Sequence, residues 1–311
     1  MQKELEQSIL KTLAYFDIAN YPLTKEEIFR YLWQPPRLSC ADFLAQFFEQ
    51  NMRWQEKYGY YFLPGREEIM ENRRRRLVAS ARKLKKAKRA AGLIASVPFL
   101  AAIFVCNSVA TEQARPDSDI DFFIVTTPGR IWIVRFFTNL ILRIFGLRTY
   151  GQKRADRICL SFFVDSDHLN LRPHVVADSD IHFIYWLQQM VPLYDSNNLY
   201  NKFLQANNWI ANFTPHVGKA AVTVSSVAVT NSAIGRWWKN IWGRMWHGSY
   251  GDMVENQAKQ LQMHAMKKTI KQLASVAPKN VVIADGVIKL HETDTREEYL
   301  KNWKQKLIEI C

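Results

Sequence analysis

The stretch Asn107-Ser108, together with Ala114-Arg115-Pro116-Asp117-Ser118-Asp119-Ile120-Asp121-Phe122-Phe123-Ile124-Val125, decides how the rest of the chain is read. The apolar run after Asp121 reads as a strand. Side chains on a strand repeat every two residues, so Asp119 and Asp121 are expected on one face. Two adjacent carboxylates repel, and burying either one unpaired is unfavourable. A hard divalent cation relieves both problems, and Mg²⁺ is typically held by one or two carboxylates together with substrate phosphates. An upstream strand, Phe99 to Cys106, is expected to deliver the Asn107-Ser108 turn to the same sheet end, where the Ser108 hydroxyl and backbone N–H groups can hold a phosphate. Asp-x-Asp also arises by chance in loops, and Pro-Asp-Ser-Asp is ordinary turn chemistry.

This arrangement resembles the polymerase-beta-like nucleotidyltransferase superfamily, whose signature is a Gly-Ser turn followed by Asp-x-Asp on the next strand. The resemblance implies Asp119 and Asp121 as catalytic metal ligands for a two-metal Mg²⁺ site. Asn107, Ser108, Arg115 and Ser118 become nucleotide-binding residues. Asn107 stands where the superfamily has glycine; asparagine is the side chain that most readily adopts positive φ. The superfamily places a third carboxylate on a neighbouring strand, here Ile158 to Val164. Strict alternation puts Arg157, Cys159, Ser161, Phe163 and Asp165 on one face of it, so Asp165 is the remaining candidate for the third catalytic acid.

The net charge of +13 is concentrated rather than spread. Between Arg73 and Arg89 the chain carries ten lysines and arginines and no acid, leaving +3 for the remainder. Glu67 to Ala95 reads as one long helix with acids first and bases after, which complements the helix dipole. Met70, Leu77, Leu84 and Ala91 suggest one narrow packing stripe. The helix is either a solvated connector or a basic wall guiding a triphosphate or nucleic-acid acceptor.

Before it, residues 3–18 read as an amphipathic helix. Thr24 with Glu27 forms a capping box for a second helix, and Ser39 with Asp42 opens a third that runs through Glu49. Met52 to Gln55 and Tyr60 to Leu63 flank Glu56-Lys57-Tyr58-Gly59 as a hairpin. Three helices and a hairpin make a winged helix-turn-helix unit. The stretches YFDIANYPLT, SDIDFFIVTTPGRIWIVRFF and ICLSFFVDSDHL make the whole order similar to an uncharacterised bacterial family in which such a unit precedes a nucleotidyltransferase domain. The third helix, CADFLAQFFEQ, has two acids and no base, which argues against DNA binding by the winged helix. Phe43, Phe47 and Phe48 point instead to packing, so the unit reads as a docking or protein-interaction element.

Arg130 to Arg148 is largely apolar but interrupted by Arg135 and Arg143, so it reads as a helix buried between domains, with an interfacial membrane helix as the alternative and no transmembrane segment. Asp178 to Met190, Leu199 to Ala206, Asn256 to Leu273 and Thr295 to Ile310 read as helices. Asn212 to Gly235 reads as a linker or exposed strand. Trp238, Trp242 and Trp246 recur on one helical face, as a packing stripe or, less expectedly, a membrane-interface one. Val281 to Leu290 is a hairpin about Asp285-Gly286.

Four cysteines without C-x-x-C spacing argue against a disulfide framework or zinc site, and MQKELEQSIL carries no signal peptide, so a cytoplasmic location is expected. The expected fold is α/β (α+β). It divides into a winged-helix unit (1–65), a basic linker helix (66–96), a nucleotidyltransferase core with a mixed sheet (97–175) and a mostly helical C-terminal region (176–311). The resemblance implies a nucleoside triphosphate such as ATP as donor and an unidentified small-molecule, protein or RNA acceptor. The alternative is a catalytically degenerate form serving as nucleotide sensor or scaffold. A DNA-binding regulator is a third reading, weakened by the acidic third helix.

Overall fold

The computed structural model describes residues 2–47, 52–216, 228–266, 268–276, 280–290 and 294–310. Within them the chain is mixed α/β, with twelve helices, a six-stranded mixed sheet and a three-stranded sheet.

The N-terminal unit comprises α1 (Gln2–Ile18), β1 (Leu23–Thr24), α2 (Lys25–Tyr31), α3 (Cys40–Gln46), β2 (Gln55–Lys57) and β3 (Tyr60–Phe62). Both expected capping boxes form. The Glu27 N–H donates to Thr24 Oγ1 (3.2 Å) while the Thr24 N–H donates to Glu27 Oε2 (2.8 Å), and Ser39 and Asp42 repeat the exchange. The hairpin is tighter than its sequence suggests. Lys57 pairs with Tyr60, and Tyr58 and Gly59 both take positive φ (56° and 78°), a two-residue type I′ turn. Phe43 and Phe47 pack inward on Phe29, Trp54 and Tyr61. Phe48 and Glu49 lie outside the described residues.

The long helix α4 (Ile69–Ile94) buries a stripe that only partly overlaps the expected one: Ala91 is buried and Leu84 packs against the core, but most of the buried face lies elsewhere. Ile69, Arg73, Ser80, Lys83, Ala87, Ala90 and Ile94 face inward, whereas Leu77 is exposed. Small residues let the helix lie close to its neighbours, and two of the ten basic residues are buried where they find partners. The Arg73 guanidinium sits between the rings of Tyr21 (4.3 Å) and Tyr60 (4.5 Å) and pairs with Glu27 at 2.7 Å.

The main sheet contains β4 (Leu100–Cys106), β5 (Ile120–Thr126), β6 (Ile158–Asp165), β7 (Val191–Asp195), β8 (Val281–Ala284) and β9 (Val287–Leu290), in the order β7-β4-β5-β6-β9-β8. Only β5 and β6 run parallel. β7, reading VPLYD, is a strand the sequence does not announce; its Pro192 is tolerated because β7 lies at the sheet edge. The 281–290 hairpin forms as expected but joins β6 through β9, so the sheet draws strands from outside 97–175.

One face of the sheet, with Phe104, Cys106, Phe123, Val125, Phe162 and Val164, packs with α1, α7 (Ile181–Gln188), α8 (Leu199–Ala206) and α12 (Arg296–Ile310). The other, with Ile103, Val105, Phe122, Ile124, Leu160 and Phe163, packs with α4, α6 (Ile131–Ile144) and α10 (Gly248–Ala265). The first face also takes in the N-terminal unit: Tyr15 packs on Tyr185 (4.5 Å) and Trp33 on Trp303 (5.5 Å). That unit therefore shares its core with the sheet instead of standing alone.

α6 is buried along one side and not all round. Ile131, Trp132, Ile133, Val134, Thr138 and Leu142 are covered, while Leu140, Ile144 and Phe145 are exposed. Its first turn is capped by Glu255 of α10, which accepts from the N–H groups of Trp132 (2.8 Å) and Ile133 (2.9 Å). Among the described residues no helix is long and apolar enough to cross a membrane. The tryptophan-rich segment forms α9 (Ala233–Met245), and the helix expected over Asn256 to Leu273 is instead α10 and α11 (Lys268–Val276), interrupted at Met266. Much of the segment Asn212 to Gly235 (217–227) lies outside the described residues.

Candidate functional site

The site forms where β4 ends and the parallel strands β5 and β6 begin. Cys106, Asp121 and Cys159 occupy directly paired positions on these three adjacent strands. Asp119 lies one residue ahead of β5. Ligand atoms of Asp119, Asp121 and Cys159 all come within 4.8 Å of one another. Both expected metal residues thus converge, and their third companion is a thiol.

Burial, then the Asp119 charge, raises the Asp121 carboxyl to about 6, opposed by hydrogen bonds from Asn107 and Cys159. Burial raises the Cys159 thiol to about 12, with the two aspartates adding to it. A divalent cation bound by this pair would relieve the repulsion between the two carboxylates. The donor set fits a hard cation through its two carboxylates, but a protonated thiol is a poor ligand for Mg²⁺. Arg148 lies within electrostatic reach of Cys159 and Asp119, with its Nε held by Asn139 at 2.6 Å.

Asp165 does not reach this cluster. A bulge in β6 follows Cys159: Asp121 pairs with Cys159, but Phe123 pairs with Phe162. The extra residue reverses the alternation, so Phe162 and Val164 share the Cys159 face and Phe163 goes to the other, contrary to the strict two-residue reading. Asp165 pairs with Thr126 at the far end of β5, roughly 16 Å from Asp121 at the usual strand rise. There it accepts from the N–H groups of Asp167 (3.0 Å) and His168 (3.1 Å) and contacts His168 Nδ1 at 2.6 Å. Gly286 closes over it with φ of 79°, where a Cβ would lie 2.1 Å from the His168 ring.

The turn residues behave as their chemistry allows. Asn107 takes the left-handed conformation (φ 56°) at the start of α5 (Asn107–Ala110), and its side chain hydrogen-bonds Asp121. Glycine could adopt the same φ, but only a side chain can tie this turn to the acid pair. Ser108 follows on the cavity wall. Ser118 spends its hydroxyl on the Arg115 carbonyl (3.0 Å), closing the turn that carries the aspartates. Arg115 is exposed, 3.6 Å from Asp117.

Two residues that sequence reading assigned to solvent or to nothing hold this end of the sheet. Lys83 is fully buried, and its ammonium donates to the Pro116 carbonyl (3.1 Å), the Ser118 carbonyl (2.7 Å) and Asp156 Oδ1 (2.6 Å). It thereby clamps the loop before Asp119 to the loop before Cys159. Ser80, one turn earlier, accepts from the Ala114 N–H at 2.9 Å. Their placement follows the buried stripe of α4, which is seen only once the helix is docked.

Asn107 and Ser108 also open onto a cavity of about 330 Å³, within the usual range for small-ligand sites. Its walls are aromatic, from Tyr15 and Phe16 of α1, Phe162 of β6, His182 and Trp186 of α7, and Tyr299 of α12. A buried polar edge comes from Lys289, Asp294 and Arg296: Lys289 Nζ lies 3.3 Å from Asp294 Oδ2, and Arg296 Nε donates to Asp294 Oδ1 at 2.8 Å. Burial lowers Lys289 to about 8 and His182 to about 4. None of these C-terminal residues carries a motif in the sequence. Searches of protein-family models, of curated proteins and of solved structures each find no match to this chain.

Proposed function

We propose that this chain is a polymerase-beta-like nucleotidyltransferase that transfers a nucleoside monophosphate from a nucleoside triphosphate to an acceptor hydroxyl in an Mg²⁺-dependent reaction. The observation that carries the reading is the convergence of Asp119 and Asp121 beside the Asn107-Ser108 turn, whose own residues, unlike the aspartates, line a cavity of ligand size. The order α4-β4-α5-β5-α6-β6, with β5 and β6 parallel, supports it, because it places both motif parts at one sheet end. The N-terminal unit fits a winged helix in element order, and its sharing of the sheet's core favours a docking role over a DNA-reading one.

Asp119 and Asp121 would hold the Mg²⁺, which supplies charge neutralisation at the phosphates. Ser108 and the Asn107 turn would position the β- and γ-phosphates. The acceptor hydroxyl oxygen would form a bond to the α-phosphorus and release its proton to solvent as the bond to the bridging oxygen breaks, and pyrophosphate would leave with the electron pair. Lys83 keeps the two ligand-bearing loops at their mutual spacing.

A second reading rests on Cys159. Among the described residues no third carboxylate meets the aspartate pair, so nucleotide binding without transfer is the natural outcome if that acid is needed for turnover. Titration with non-hydrolysable nucleoside triphosphates, with and without Mg²⁺, tests what both readings share. Mg²⁺-dependent binding that disappears in Asp119→Ala/Asp121→Ala is the expected result; no binding to any nucleotide sinks both. Pyrophosphate release in the presence of candidate acceptors then separates transferase from sensor.

A further inference from the structure

Helix α9 leaves one of its apolar faces in solvent. Gly235, Lys239, Trp242 and Trp246 anchor it to the body of the protein. Lys239 Nζ donates to the Ala95 carbonyl (3.4 Å), the Leu100 carbonyl and the Tyr194 hydroxyl (3.1 Å), and Trp246 stacks on Phe137 at 5.6 Å. At about 100° per residue, Ile234, Trp237, Trp238, Ile241 and Met245 make a second, adjoining stripe. Four of these are well exposed: Ile234 at 78%, Trp237 at 62%, Met245 at 55% and Trp238 at 47%. Arg236 and Arg244 are exposed along its polar side. An anchored helix that turns two tryptophans and an isoleucine to water is a binding surface in want of an apolar partner.

Charge selects the partner. From Ser196 to Gly251 the chain contains no aspartate or glutamate, so every formally charged side chain in that span is basic. Pairing α9 with a second copy of itself would set its arginines against each other with no acid on the helix to meet them. An anionic lipid surface satisfies both features at once: tryptophan rings settle at the headgroup boundary and arginines neutralise the phosphates. We infer that the exposed face of α9 docks this chain on an anionic lipid surface.

The test is co-sedimentation of the full chain with vesicles of phosphatidylcholine alone, or with about one third phosphatidylglycerol. The wild-type chain binds the anionic vesicles at least about tenfold better, loses that binding as salt screens the headgroups, and shows a blue shift of tryptophan emission. Trp237→Ser/Trp238→Ser lowers vesicle binding by about tenfold or more. Arg236→Glu/Arg244→Glu, which alters only exposed polar positions, abolishes the preference for anionic lipid. Failure of the wild-type chain to sediment with anionic vesicles overturns the inference, as does unchanged binding by the tryptophan variant. A wild-type dimer that becomes monomeric in the tryptophan variant overturns it too, and assigns the face to a second copy.

Discussion

The Lys83 ammonium lies 2.6 Å from Asp156 Oδ1, joining a helix to a loop 73 positions away in the chain. Its other two hydrogen bonds, to the carbonyls of Pro116 and Ser118, complete a clamp over the base of the aspartate loop. Lys83→Met should leave those carbonyls without their donor and Asp156 with the exposed Arg82 (3.3 Å) as a remaining ion-pair partner, and cost about 2–3 kcal/mol, read by urea unfolding. A change under about 0.5 kcal/mol would mean that the buried ammonium contributes nothing net.

At Asp121 the proposed metal-binding role would oppose stability. Its carboxyl is raised to about 6, chiefly by burial and then by Asp119, so the folded state holds its proton more tightly than the unfolded chain does. The associated stability is fully present below about pH 4 and is lost as pH rises through about 6. At neutral pH without metal, Asp121→Asn should therefore stabilise the protein, by on the order of 1 kcal/mol, while weakening Mg²⁺-dependent nucleotide binding by about a hundredfold. Thermal unfolding and calorimetric titration on the same sample check both halves; a destabilised variant would assign Asp121 a structural role.

Cys159 is the substitution point for a gain of function. It pairs with Asp121 across the parallel β5–β6 ladder, where a carboxylate would complete a three-acid site. Cys159→Asp is expected to strengthen Mg²⁺ binding by about tenfold and to raise any pyrophosphate release. Cys159→Ser, which adds no charge, should change neither. Equal effects from the two variants would show that the thiol matters through packing alone.

His182 should govern part of the acid sensitivity. It is half-buried on the cavity wall, its Nδ1 lies 2.9 Å from the Tyr15 hydroxyl, and loss of solvation lowers it to about 4. A histidine whose folded value is depressed lends stability above its unfolded value, and that stability is lost as pH falls from about 6.5 to about 4. The loss is expected to be on the order of 3 kcal/mol, and His182→Gln should flatten the stability profile across that window. A profile of unchanged slope in the variant would locate the acid sensitivity elsewhere.

The parts of this protein that depend on near neighbours in the chain are legible in the sequence alone. The capping boxes at Thr24 and Ser39, the strand after Asp121, the 281–290 hairpin and the convergence of Asp119 with Asp121 all follow from spacing, because backbone periodicity and cap chemistry act over a few residues. Tertiary structure decided the rest. The β6 bulge moves Phe162 and Val164 onto the Cys159 face, a shift set by packing on two faces and invisible to alternation, whereas Asp165 lies at the opposite sheet end simply because it closes the strand whose start carries Cys159. Lys83 and Arg73 are buried because partners from distant segments surround them, and an isolated basic helix gives no sign of which charges will be buried. The cavity wall of His182, Lys289 and Arg296 exists only where α7, β9 and α12 meet over the sheet. Local spacing specifies which groups are candidates for a site; long-range packing determines which of them meet.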